Sequence, residues 1–306
     1  MLLVDPSYEI QDNLDRLPLP IALEARGRIC YKSEDKISQD SAIPFLTKIA
    51  ASGHGSVLEM AVVTAEIFCS PADKAALFAW QPRFFIIDET AKGLLVTASI
   101  RALRELAAAA AESIALAALV RAVAEKYPFL FADISLSANL AATIPPPRFF
   151  SVDEIDAWPE KLLLRHRFLG VKFVISRAVS HELVRHRVCS FLQESQRYCN
   201  YGHARFGQHV SFVRPVFYRE NTPEFACWQK SVEDAERAYF QLLATSSPQA
   251  ARTVLPNSCK TEIVVYCNLA EWRHICKLRT SSAAEPSMRE IMLPLQAELR
   301  ARYPFI

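Results

Sequence analysis

The sequence predicts an α+β fold: a mixed or antiparallel sheet flanked by helices, with a helical insertion. Short β-rich apolar runs stand at 56–69, 171–175 and 261–267. Amphipathic helical periods lie around them, and the spacing lacks the regular strand–helix alternation of a doubly wound sheet. With 306 residues, 51% of them hydrophobic, the chain has ample material for a packed core.

The elements follow in order. Residues 19–31 and 40–52 read as short amphipathic helices. In 56–69, SVLEMAVVTAEIFC, the Val, Thr, Ile and Phe residues suit a strand buried on at least one face. The stretch 71–168 is different: an Ala- and Leu-rich helix over 101–127, then Pro145-Pro146-Pro147 and the acidic run SVDEIDAWPE. It carries none of the motif residues, and we read it as a helical cap inserted between two strands that would otherwise be adjacent, within a single catalytic domain over 1–306. Residues 171–175 form the next strand. From 176 to 187 the period turns helical, with Val179, Leu183 and Arg187 on one side. Residues 199–215 read as loop and strand. Thr222-Pro223-Glu224 opens a helix to about residue 245, with Thr as N-cap and Pro first. A short helix at 248–255 stops at Pro256, a strand follows at 261–267, and helices at 268–278 and 286–303 complete the chain.

Composition excludes several classes. A formal charge of +2 argues against a protein that coats nucleic acid, so any basic patch is local. None of the eight cysteines forms CxxC, and their spacing suggests neither a disulfide framework nor a zinc site. The opening MLLVDPSYEIQDN meets Asp and Pro too early for a signal peptide. The softest candidate for a membrane span, 106–120, is interrupted by Glu112. A soluble, reducing, cytoplasmic setting is expected, with no membrane and no metal. Among seven glycines only Gly53 and Gly55 are close, and Leu58 stands where a dinucleotide fingerprint needs a third.

The most informative stretch is 180–201, SHELVRHRVCSFLQESQRYCNY. Three guanidiniums and an imidazole within the thirteen residues from Arg185 to Arg197 cannot all be buried without anionic partners. They form either a solvated basic face or the lining of a pocket for a phosphate-bearing ligand, and the spacing favours the pocket. A second Arg-His-Arg, Arg165-His166-Arg167, has aliphatic neighbours and Ile175 where a hydroxyl would be needed; we expect it to be the solvated end of a helix.

The run Arg185-His186-Arg187 through Ser195, continuing Gln196-Arg197-Tyr198, resembles the signature of the flavin-dependent thymidylate synthases. Gly53-His54-Gly55-Ser56-Val57-Leu58-Glu59 resembles a second element of that family, although His54 alone would read as a core or capping residue. Ala251-Arg252-Thr253-Val254-Leu255-Pro256, then Asn268, Glu271-Trp272-Arg273-His274 and Leu278-Arg279-Thr280, resemble a third. The likeness covers 20–70 and 170–303, and the chain departs from the usual residues at Met60, Leu192, Gln193, Ala270 and Glu285.

The resemblance implies reductive methylation of dUMP to dTMP, with methylenetetrahydrofolate as carbon donor and NADPH as reductant through FAD. It implies flavin contacts for Ser56, Arg185, His186, Arg187, Gln193, Asn268 and His274. Substrate contacts fall to Glu182, Arg185, Gln193, Glu194, Ser195, Gln196, Arg197, Arg252 and Arg279. Arg279 is the candidate catalytic group, able to stabilise negative charge on the pyrimidine, and Ser195 is expected to orient substrate. The family assembles its sites between subunits of a homotetramer, with Arg252 reaching a neighbour's nucleotide. On a helix Asn268, Trp272, Ile275 and Arg279 share a face, whereas His274 lies about 120° round from Asn268 and is expected to serve a different wall. A flavoprotein of the same fold without methyl transfer is the first alternative. A nucleic-acid-binding stripe of Arg185, Arg187, Arg197 and Arg205 with Tyr198, Tyr201 and Phe206 is the second.

Overall fold

The computed structural model describes residues 1–80, 84–108, 113–135 and 145–306. Its strands are β1 (Leu2–Val4), β2 (Ser7–Ile10), β3 (Val62–Phe68), β4 (Phe85–Glu89), β5 (Gly93–Ser99), β6 (Arg148–Phe149), β7 (Phe168–Ser176), β8 (Ser190–Gln193), β9 (Ser211–Val213) and β10 (Lys260–Asn268). Two compact units result, one of Met1–Gln11, Arg28–Asp35 and Leu169–Ile306, the other of Asp12–Gly27 and Lys36–Phe168.

In the first unit four strands form a sheet in the order β2-β7-β10-β8, with β2 antiparallel to β7 and β8 antiparallel to β10. Residues Thr261 to Cys267 of β10 are all buried, as expected of a central strand covered on both faces. Beside it, β1 and β9 form a parallel pair. The Leu269–Arg279 helix is anchored by Trp272, which is fully buried and donates from Nε1 to the Leu169 carbonyl at 2.9 Å. The expected Thr222 cap is present: its Oγ1 accepts from the Phe225 N–H at 3.3 Å and opens the Pro223–Leu243 helix. That helix sets Val232 and Tyr239 against Cys199, Tyr201, Val210 and Phe212.

The second unit holds an antiparallel sheet in the order β4-β5-β3-β6. This corrects two expectations. The stretch 71–168 supplies strands as well as helices, because FIIDE and GLLVTAS are apolar runs joined by a tight turn, Thr90 N–H to the Gly93 carbonyl at 3.0 Å. Gly93 is required there, since a Cβ would stand 2.0 Å from the Ile67 carbonyl oxygen of the paired strand. Accordingly β3 pairs with β5 and β6, and not with β7. Residues 101–127 contribute to helices Ile100–Ala108 and Ile114–Lys126; the junction at 109–112, with Glu112, lies outside the described residues. No helix among the described residues is long and apolar enough to cross a membrane.

The second Arg-His-Arg is also not the solvated helix end it resembles. Arg165 is exposed, but His166 and Arg167 are each only 1% exposed. Arg167 is ion-paired to Asp12, Asp15 and Asp156, and Asp15 also pairs with Arg26 at 2.6 Å. His166 bridges Asp88, 2.8 Å from Nε2, and Thr97, 2.8 Å from Nδ1, while Thr97 meets Thr64 at 2.7 Å. A carboxylate can only accept, so Nε2 carries the proton and Nδ1 accepts from Thr97. Burial pushes the His166 pKa down, against the raising effect of Asp88, and the ring is neutral. The burial is tolerable because both ring nitrogens of His166 find partners.

Candidate active site

Strand β7 ends at Ser176, whose Oγ accepts from the Val179 N–H at 3.2 Å and caps the helix Arg177–Leu183. The helix stops short of the expected residue 187. Leu183 is its last apolar anchor, and the chain then turns through Val184 and Arg185. The turn separates the three motif residues. His186 is buried, while Arg185 and Arg187 face solvent. Arg187 Nη1 donates to the carbonyls of Val184 and His186, which fixes its stem. Among the described residues no ion pair or hydrogen bond takes up the Arg185 guanidinium.

The second wall is the Leu269–Arg279 helix. Asn268 is its N-cap, its Oδ1 accepting from the Glu271 N–H at 2.9 Å. The predicted stripe holds, with Trp272 and Ile275 in the core and Asn268 and Arg279 at its two ends. Arg279 Nη1 meets Glu182 Oε2 at 2.6 Å and Nη2 the Glu182 carbonyl at 3.1 Å, while Nε donates to His186 Nε2 at 2.9 Å. His274 does not serve a separate wall: its ring lies edge-on to that of His186, centroids 6.1 Å apart. Burial, then the positive charge of Arg279, then His274 depress the His186 pKa to about 4, so the ring is neutral. Glu271 stands behind it, Oε1 lying 3.9 Å from His186 Nδ1. Burial raises the Glu271 pKa, with His274 opposing.

The structure thus brings Glu182, His186, His274 and Arg279 together, and adds Glu271, which the sequence reading quoted but gave no role. Glu271 and His274 are three apart on one helix, a spacing that places both on one face and could have flagged the pair.

The remaining candidates lie apart from this quartet. Gln193 Nε2 donates to Ser180 Oγ at 2.9 Å and Thr261 Oγ1 at 3.2 Å. Glu194 is 3% exposed. Its oxygens accept from Tyr201 Oη at 2.9 Å, Lys260 Nζ at 2.9 Å and the Glu262 N–H at 3.2 Å, so it is engaged inside the unit. Glu262 in turn meets Lys32, Lys172 and Lys260 at 2.6 to 2.8 Å. Burial alone would raise the Glu262 pKa, but the lysines outweigh it and hold the carboxyl far below the usual range. Ser195 begins a turn, its carbonyl accepting from Tyr198 and Cys199 and its Oγ from the Arg197 N–H at 3.3 Å. Gln196 Nε2 reaches Cys259 Sγ at 3.4 Å. Arg197 is exposed, bonded to Gln249 Oε1 at 3.3 Å and laid over the Tyr198 ring at 5.4 Å. Arg252 opens the turn after the Pro248–Ala251 helix that carries Gln249. Ser56 belongs to the second unit, opening the turn Val57–Glu59 before β3 rather than starting the strand; there Glu59 pairs with Arg101 at 2.6 Å.

A family model described as thymidylate synthase complementing protein matches residues 163–305, the stretch that contains Glu182, His186, Glu271, His274 and Arg279. The chain is also similar to the flavin-dependent thymidylate synthases of Pyrococcus abyssi (31% identical over 128 residues, 42% of this chain and 52% of that one) and Mycobacterium marinum (34% over 149 residues, 43% and 57%). That of Sulfurisphaera tokodaii is 34% identical over 131 residues, 42% of this chain and 49% of its own. The chain spans about half the length of the relatives it matches.

Proposed function

We propose that this chain is a flavin-dependent thymidylate synthase, converting dUMP to dTMP with methylenetetrahydrofolate as carbon donor and NADPH as reductant through FAD. The observation that carries the reading is the Arg279 guanidinium, held by Glu182 and by a neutral histidine beside two exposed arginines. The donor set fits an anionic nucleotide cofactor: Arg185 and Arg187 face solvent at a turn, where guanidinium forks suit pyrophosphate oxygens. The residues that would hold FAD are Arg185, His186, Arg187, Asn268 and His274. When bound, the flavin supplies hydride transfer.

The chain's own residues orient and balance charge. Arg279 offers N–H groups to a pyrimidine oxygen that gains negative charge on attack, and Glu182 keeps the guanidinium from swinging to solvent. His186, neutral, adds no competing positive charge. Ser195 and Arg197 hold the substrate phosphate from their turn, with Arg252 reaching the nucleotide of a neighbouring subunit in a homotetramer. Glu194 and Gln193 act by holding the strand and turn that present Ser195. A cytoplasmic setting goes with this reading.

The test is tritium release from dUMP labelled at ring carbon 5, run anaerobically with FAD, NADPH and methylenetetrahydrofolate and omitting each in turn. Release that needs all three supports the synthase. No release from protein that retains flavin would sink methyl transfer and leave a flavoprotein of the same fold.

A further inference from the structure

Arg279, His186 and Glu271 stand in a row, the first two hydrogen-bonded and the third close behind. The bond from Arg279 Nε to His186 Nε2, 2.9 Å, needs a lone pair on Nε2, so the neutral ring carries its proton on Nδ1. Nδ1 faces Glu271 Oε1 at 3.9 Å. That oxygen is buried, with no hydrogen-bond partner among the described residues. A buried carboxylate oxygen left unpaired is costly, and a small rotation of either side chain would pair it with the imidazole N–H.

We propose that Glu271 is a positioning residue: it orients His186 and keeps the ring proton on Nδ1, so that Nε2 stays open to receive Arg279 and fix its guanidinium. The inference rests on the reading of the site given above and assigns a task to a residue that reading leaves without one. A carboxylate behind an imidazole makes the far nitrogen a better acceptor, which tightens its hold on the arginine.

The same geometry admits one rival. His186, Glu271 and His274 each offer a ligand atom, all within 4.8 Å of one another, a set that a divalent transition metal could draw together. A metal on Nδ1 would force the ring proton onto Nε2, against the N–H of Arg279, and would seat the ion beside a guanidinium. A proton on Nδ1 satisfies both contacts; the metal breaks one of them.

The experiment is nitrogen-15 NMR of the histidine-labelled full chain, with His186 assigned by the signal lost in His186→Asn. In the unsubstituted protein Nδ1 should be protonated and Nε2 bare. Glu271→Ala should give mixed tautomers, and Glu271→Gln, which keeps an acceptor oxygen, should restore the Nδ1–H form. With dUMP turnover as a second readout, Glu271→Ala should lower kcat about tenfold, the scale at which outer partners of a site matter. KM for dUMP should change less than about twofold, since the interaction matters to charge development rather than to ground-state binding. A His186 protonated on Nε2 in the unsubstituted protein would overturn the proposal, whether or not any variant folds. So would an unchanged tautomer in Glu271→Ala, or cobalt(II) absorption bands that need Glu271. A protein without synthase activity but with these tautomers would fail the functional reading and keep the positioning one.

Discussion

Arg279 makes contacts that no lysine could make together, Nε to His186 and two Nη groups to the side chain and carbonyl of Glu182. Arg279→Lys keeps the charge and loses the fork. Its kcat for dTMP formation should fall on the order of a hundredfold or more, as when one preorganised donor is removed from a site of developing charge. Arg279→Ala should abolish turnover. Both variants should retain flavin, read from the absorbance of the purified protein; loss of flavin from Arg279→Ala alone would assign the residue to cofactor binding. Arg167 poses the opposite problem. Arg167 and Asp15 are nearly closed to water, with Asp12 and Asp156 half-buried beside them, and Asp15 is already pushed up by burial against the pull of Arg26 and Arg167. Arg167→Ala should cost about 3–5 kcal/mol in urea unfolding, the usual penalty for stranding a buried charge. This second Arg-His-Arg was illegible in the sequence because its partners Asp12 and Asp15 come from the far end of the chain. The copy at 185–187 stands apart from it in the sequence because Ser195 and Arg197 follow on the same short segment.

Helices and strands were legible where a local signal fixes them. Thr222-Pro223 opens its helix as read, and the apolar runs at 171–175 and 261–267 became the two neighbouring strands β7 and β10. The helix before His186 ended early for a reason outside its own sequence: His186 is held by Arg279, 93 residues away. The hairpin β4–β5 was missed since neither strand alternates cleanly, β5 being buried on both faces. Asn268 shows how an element can disguise a site. It caps the Leu269–Arg279 helix, so loss of flavin in Asn268→Ala would mix a cap defect of about 1 kcal/mol with any lost contact. Asn268→Ser keeps a capping oxygen and removes the carboxamide. Thermal unfolding of Asn268→Ser should match the unsubstituted protein, and that of Asn268→Ala should not. A flavin affinity reduced equally in both would then belong to the carboxamide itself.

At the scale of the molecule, each unit carries a neutral histidine in its interior, His166 in one and His186 in the other, and burial depresses both. An unfolded chain titrates histidine near 6.5, so below that pH it binds protons that the folded form refuses. Stability is therefore fully present above about pH 6.5 and is lost as pH falls from there towards the folded value, about 4 for His186. Glu262 acts in the same sense at lower pH: burial works against its charge, the three lysines prevail, and its stabilisation disappears as the carboxylate is protonated. Asp15 and Glu271, raised by burial, oppose this trend, since the folded form takes up their protons at a higher pH than the unfolded chain does. The urea midpoint should hold between pH 8 and 7 and decline between pH 6.5 and 5. His166→Gln should lower stability at pH 7.5 yet flatten that decline. A midpoint unchanged down to pH 5 would mean that neither imidazole gains its proton on unfolding. The neutral His186 on which the Arg279 contact depends would then lose its support along with the stability argument.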